Sequence, residues 1–151
     1  MKISPNNRKP VVLLVENNQD DVELTRLAFA ECGVAHELVV AWDGEEALDY
    51  LFAAGKYSAR PDTKMPHLVL LDMALPKKNG VGVLKTLRTA RMGRFPPVVM
   101  LTSSSQDSDV FDSYMYGANS YIQKPVDYGH FVAGVRMLAQ YWLVLNVEAG
   151  T

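Results

Sequence analysis

Four stretches of the chain are short and almost purely apolar: VVLLV at 11–15, ELVVA at 37–41, LVLL at 68–71 and VVML at 98–101. They run nearly unbroken instead of alternating with polar residues, so both faces of each must be covered. Strands of a parallel sheet with helices packed on either side meet that condition. A fifth run, SYIQ at 120–123, is more polar and fits a sheet edge.

Helical spacing lies between these runs. Leu24, Leu27 and Ala28 fall at i, i+3, i+4 after Asp20 and Asp21, residue types suited to capping a helix. Ala47, Leu48 and Leu51 form a second stripe, and Val83, Leu84 and Leu87 a third. Residues 107–116 carry a shorter, weaker pattern, and a last helix is predicted from about Asp127 to Val147. Strands alternating with helices imply βαβ units with right-handed crossovers. The prediction is a flavodoxin-like, doubly wound α/β domain: a five-stranded parallel sheet, order 2-1-3-4-5, with five helices. It is expected to be one unit over residues 1–151, with a core at about 10–130. Such a length suits a single domain, since domains cluster at roughly 100–150 residues. The segment AGKYSARPDTKMP (54–66) is the longest loop and is expected to be mobile and exposed.

Composition narrows the setting. Hydrophobic residues make up 48% and charged ones 21%, ordinary for a water-soluble globular chain. A net charge of −2 gives no global attraction to nucleic acid or anionic membrane. The single cysteine, Cys32, excludes an internal disulfide framework and suits a reducing compartment. The opening MKISPNNRKP lacks the apolar core of a secretory leader, and no run approaches the ~18 apolar residues of a membrane span. The expectation is a cytoplasmic protein without nucleic-acid or membrane partners.

In open α/β sheets, ligands bind outside the carboxyl ends of the strands. The first strand ends in Glu16-Asn17 and the third in Asp72. The fourth ends in Thr102, before Ser103, Ser104 and Ser105, and Lys124-Pro125 follows the fifth. The second, ending in Ala41-Trp42, offers no evident chemistry. An acid delivered by so apolar a strand as LVLLD needs a cation. Lys124 is one candidate. Mg²⁺ is another, held by Glu16, Asn17, Asp72 and a backbone carbonyl just after Asp72. An aspartate so placed can act as a nucleophile and form an aspartyl-phosphate. That chemistry asks for little beyond alignment and charge neutralisation, which Mg²⁺, Lys124 and the Thr102 hydroxyl would supply.

With these residues in order, the sequence resembles the receiver domain of two-component response regulators. The matching segments are LLVENNQDDVELT, DGEEAL, LVLLDMALPKKNG, VVMLTSSS and GANSYIQKP, spread over nearly the whole chain. The loop AGKY, the phrase LPKKNG and the C-terminal FVAGVRMLAQYWL further resemble the small regulators paired with bacterial phytochrome histidine kinases. The resemblance implies a phosphorelay signalling domain, not an enzyme, apart from slow self-dephosphorylation. Asp72 would accept phosphate from a sensor histidine kinase, the narrower resemblance pointing to one of bacteriophytochrome type. Lys124 would pair with the phosphoryl group, before a cis peptide at Pro125. Thr102 would move toward the phosphate and the aromatic switch Tyr121 would follow. The metal would take the Ala74 carbonyl, two residues after Asp72, and Glu16 through water.

Asn17 departs from the pattern, since the family usually has a second acid there. An amide oxygen can coordinate but brings no charge, so weaker Mg²⁺ binding and slower phosphorylation are expected. The stronger alternative is a pseudo-receiver that signals without phosphate. An aspartate-nucleophile phosphatase is disfavoured because Ala74, not a second acid, stands two residues after Asp72. NGVGVLK (79–85) lacks the third glycine of a dinucleotide fingerprint and follows the wrong strand. The serines at 103–105 lack a nucleophile-elbow context. His36, His67 and His130 show no metal-ligand spacing and are expected in surface or packing roles. Arg88, Arg91 and Arg94 read as a solvated cluster.

In the last helix, Phe131, Val135, Leu138, Trp142 and Leu145 follow a 4-3-4-3 spacing, and Met137, Tyr141 and Val144 form a second stripe. A helix apolar nearly all round must bury more than one face. One face can cover the sheet, and the rest predicts a homodimer through Phe131, Val135, Leu138, Tyr141, Trp142 and Leu145.

Overall fold

The computed structural model describes residues 9–90, 96–102, 114, 117–124 and 127–146. The five apolar runs form β1 (Val11–Val15), β2 (Glu37–Ala41), β3 (Leu68–Asp72), β4 (Val98–Thr102) and β5 (Ser120–Gln123). They pair in the order β2-β1-β3-β4-β5, and every pair is parallel. Helices α1 (Gln19–Ala30), α2 (Gly44–Phe52) and α3 (Gly80–Thr89) link the first strands, and α4 (Tyr128–Gln140) follows β5. The helical pattern at 107–116 lies, apart from Tyr114, outside the described residues. No described helix is long and apolar enough to cross a membrane.

Successive side chains of a strand point to opposite faces, so each aliphatic run feeds two cores. Val12, Leu14, Leu70 and Leu101 pack with Val22 and Phe29 of α1 and with Phe131 and Val135 of α4. Leu13, Val15, Leu71 and Met100 pack with Ala47 and Leu51 of α2 and with Val83, Leu84 and Leu87 of α3. The central strands β1 and β3 are buried along their whole length. Each aliphatic side chain so buried contributes roughly 1.5–3 kcal/mol relative to exposure. That holds the strand ends in a fixed array.

Several local expectations need correcting. The cap of α1 is Asn18, not Asp20 or Asp21; its Oδ1 accepts the Asp21 N–H at 3.0 Å. The buried face of α1 is Val22, Thr25, Ala28 and Phe29, which turns Leu27 outward. The loop 54–66 is exposed over most of its length, as expected, but it is also tied to α2 by hydrogen bonds. It holds two 3₁₀ turns, Gly55–Tyr57 and Asp62–Lys64. Arg60 Nε donates to the Tyr50 carbonyl at 2.7 Å, Nη2 donates to the Leu51 carbonyl at 3.3 Å, and the guanidinium lies 5.1 Å from the Tyr50 ring centroid. The Tyr50 hydroxyl in turn donates to the Lys64 carbonyl at 2.7 Å. The end of α2 thus supplies acceptors that the polar composition of the loop does not reveal.

Arg88 is likewise no solvated charge. It is half-buried, and donates to the Gly117 carbonyl at 3.1 Å, to the Pro96 carbonyl at 3.3 Å and to Asn119 Oδ1 at 3.0 Å. Arg91 and Arg94 lie outside the described residues. The histidines take packing or surface places: His36 sits 5.3 Å from the Phe29 ring centroid, His67 Nδ1 accepts the Val11 N–H at 3.2 Å, and His130 is exposed. The C-terminal helix stays α-helical to Gln140 and then widens into a π-helical turn over Tyr141–Leu145, closed by the Asn146 N–H on the Tyr141 carbonyl at 2.6 Å.

Candidate functional site

Register and alternation assemble the site. Val15 pairs with Leu71, so Glu16 stands beside Asp72 one step further along. Asp72 pairs with Leu101, and Thr102 with Gln123, the residue before Lys124. By alternation Glu16 follows Leu14, Asp72 follows Leu70 and Lys124 follows Ile122, all on the side covered by α1. Three residues distant in sequence therefore arrive on one side of one sheet edge, below the first turn of α1.

Their side chains meet at the Lys124 ammonium. Nζ donates to Glu16 Oε1, to Asp21 Oδ2 at 2.9 Å and to Asp72 Oδ2 at 3.1 Å. Glu16 and Asp72 are buried, and Lys124 keeps only 18% of its side-chain surface. The second oxygen of Asp72, Oδ1, accepts the Ala74 N–H at 3.1 Å. The carboxylate is thus held on both oxygens, one by a cation and one by the backbone.

Asp21 is the member that sequence reasoning missed as a site residue. Its acidic type at the start of a helix suggested a cap. With Asn18 taking the cap, the Asp21 carboxylate is left to face Lys124. The usable signal was the spacing: a second acid one helical turn past Asn17-Asn18 lies over the strand ends.

Burial, reinforced by a hydrogen bond to Asp72, pushes the Glu16 carboxyl up from its ordinary 4.5 to about 7. For Lys124, burial works to lower the pKa. Hydrogen bonds from its ammonium to Glu16 and Asp21, and the charge of Asp72, outweigh it and hold the ammonium above its usual range.

Gly80 opens α3 and lies against the Asp72 backbone, where a Cβ would overlap the Asp72 carbonyl oxygen. Its N–H donates to the Met73 carbonyl at 3.1 Å, closing the base of the β3–α3 loop. Ala74 is exposed in that loop, and Asn17 is exposed beside Glu16. Tyr121, half-buried on β5, packs on the α2 and α3 side of the sheet. Thr102 ends β4, but its side chain lies outside the described residues, as do Ser103, Ser104, Ser105 and Pro125.

The predicted interface residues divide. Phe131 and Val135 are buried in the core over β3 and β4, and Leu138 and Trp142 are half-buried against it. The first half of the 4-3-4-3 seam therefore covers this chain's own sheet. Exposed apolar surface lies instead on Met137 (70%), Tyr141 (50%) and Leu145 (69%).

The donor chemistry suits a hard divalent cation. Glu16 and Asp72 bring two buried carboxyl groups to one ammonium, and burial disfavours the charged form of Glu16. A cation that prefers oxygen would relieve that crowding of acids. Among the described residues no three His, Cys, Asp or Glu gather as a metal cluster. A cation at this sheet edge would have to draw on Glu16, Asp72, the Asn17 amide and a carbonyl of the β3–α3 loop, because Asp21 is drawn to Lys124.

Comparison with known proteins bears on this arrangement. Residues 12–136 match the family described as response regulator receiver domain. The chain is 34% identical over 137 residues to response regulator Rcp1 of Synechocystis, covering 91% of each. The Mn²⁺-bound structure of Rcp1 superposes with a TM-score of 0.83 at 32% identity, over 93% of this chain and 99% of that one. A phosphorylated cyanobacterial phytochrome response regulator, RcpA, gives 0.85 at 34% identity over 94% and 99%. The bacteriophytochrome response regulator AtBRR gives 0.74 at 44% identity over 93% and 99%. The sheet is accordingly the flavodoxin-like sheet of receivers. Fold, strand-end residues and family match agree: this chain belongs to the response regulator receiver domain family, among relatives that include phytochrome response regulators.

Proposed function

We propose that the chain is a phosphoryl-accepting switch in a two-component pathway, with Asp72 as acceptor and a sensor histidine kinase of phytochrome type as donor. The observation that carries this reading is the doubly held carboxylate: Asp72 Oδ2 on Lys124 and Oδ1 on the Ala74 N–H, at the end of a buried strand. A nucleophile so fixed needs only an aligned phosphorus. The N–P bond of a kinase phosphohistidine breaks as an O–P bond to Asp72 forms. Lys124 then exchanges Asp72 for a phosphoryl oxygen, and Thr102 donates its hydroxyl to another. Tyr121 repositions with Thr102 and alters the β5 surface.

Asp72, Asn17 and the Ala74 carbonyl would hold Mg²⁺, with Glu16 acting through water. Such an ion, when bound, would supply positive charge beside the phosphoryl oxygens. The relatives named for phytochrome pathways support the kinase class, and the Mn²⁺-bound Rcp1 supports the metal. The receiver acts in the cytoplasm and returns to its resting state by slow self-dephosphorylation. It acts as a homodimer through the C-terminal end of α4 and the π-helical turn, where Met137, Tyr141 and Leu145 are exposed.

Incubation with acetyl phosphate and Mg²⁺, followed by intact-mass spectrometry, tests the reading. One phosphoryl group should add to the wild type and none to Asp72→Asn. A second reading, a phosphate-independent module, is favoured by Asn17 alone. An unmodified wild type under those conditions would establish it in place of the first.

A further inference from the structure

The β3–α3 loop carries Asp72's immediate neighbours, and its backbone is strained at one point. Lys77 has φ of +66°. The Lys78 N–H donates to the Pro76 carbonyl at 2.7 Å across it, making a γ-turn of the rare, positive-φ kind. Glycine or asparagine would sit there at lower cost. A lysine in such a turn persists where its surroundings over-determine it.

What holds this lysine comes from another element. Lys77 Nζ lies 3.4 Å from Asp43 Oδ2. Asp43 is itself fixed, because its Oδ1 caps α2 by accepting the Glu46 N–H at 2.7 Å. Its side chain is only 19% exposed. Next to it, Gly44 touches the same loop, and a Cβ there would overlap the Lys78 carbonyl oxygen. The first turn of α2 therefore grips the loop by one ion pair and one backbone contact.

We propose that Asp43 and Lys77 form a latch that fixes the β3–α3 loop and thereby sets the rate at which Asp72 is phosphorylated. Both are positioning residues, since neither touches the reacting atoms. The latch rests on the reading of Asp72 as phosphoacceptor and goes beyond it by assigning the loop's placement to α2.

The test uses Lys77→Gln and Asp43→Asn, the latter keeping an oxygen for the Glu46 N–H so that the helix cap survives. Amide hydrogen exchange over residues 73–80 is measured without phosphodonor, and the rate of adduct formation is measured with acetyl phosphate and Mg²⁺. Each variant should speed exchange at Lys78 and Gly80 and slow the adduct up to roughly fivefold, the rate equivalent of a partly exposed ion pair. The double variant should be no slower than either single one, and Lys77→Arg should retain the wild-type rate. Lys77→Gly relieves the strained φ, so its unfolding midpoint should not fall even though its rate does. A merely structural role would move both together. Unchanged exchange in Lys77→Gln and Asp43→Asn overturns the latch, as does faster exchange with a wild-type rate. A wild type that takes no phosphate removes the Asp72 reading and the latch's effect on rate, while the exchange data still decide whether the pair holds the loop.

Discussion

At the scale of single residues, Glu16 shows how a site changes the chemistry of an ordinary acid. Its carboxyl is raised from 4.5 to about 7 by burial and by its hydrogen bond to Asp72. An acid whose folded pKa lies above its unfolded value contributes stability that is complete below the unfolded value and is lost as pH rises through the folded one. The metal-free protein should therefore lose stability between pH 4.5 and pH 7 as Glu16 gives up its proton. Lys124, whose pKa is raised above the range of this window, adds no slope there. Urea unfolding at several pH values should show this decline in the wild type and a flatter profile in Glu16→Gln. An equal slope in the two would place the titration elsewhere. If Asn17 is a metal ligand as proposed, an acid there adds one negative charge to the donor set, and Asn17→Asp should tighten Mg²⁺ on the order of tenfold in a calorimetric titration.

At the scale of elements, the β3–α3 connection matters more than its length suggests, because it ends on the backbone of Asp72, the proposed acceptor. Gly80 leaves no room for a side chain against the Asp72 carbonyl. Gly80→Ala should cost roughly 1–3 kcal/mol, the usual range for overpacking. It should also slow adduct formation by more than Gly82→Ala, whose Cβ would meet Lys78 and Asn79 side-chain atoms at 3.2 and 3.3 Å. Equal effects would deny Gly80 any special bearing on Asp72. The elements themselves were legible because periodicity is a property of the chain: unbroken apolar runs became strands and the i, i+3, i+4 stripes became helices. Loop 54–66 was not, because its order comes from Arg60 reaching carbonyls of α2, and a polar composition describes a clamp and a free loop alike.

At the scale of the whole molecule, the C-terminal helix has to serve two surfaces. Its buried stripe, Phe131, Val132, Val135 and Ala139, closes the sheet. Met137, Tyr141 and Leu145 remain exposed. If these form the proposed dimer, Leu145→Glu should shift sedimentation at tens of micromolar toward the monomer without lowering the unfolding midpoint, since Leu145 is 69% exposed. Trp142→Glu should also lower the midpoint, because Trp142 packs on the core. A wild type that sediments as a monomer at that concentration removes the dimer. The sequence by itself determined the strands, their parallel pairing and the set of residues at their carboxyl ends, because unbroken apolar runs alternating with helices leave little else. The order of the strands was what the family resemblance implied, and the sheet has it. Only the tertiary structure decided that Asp21 joins Glu16 and Asp72 on Lys124, that Arg60 and Arg88 are structural, and which half of the last helix stays exposed. Those outcomes depend on distances between segments far apart along the chain, and residue type and spacing carry no record of such distances.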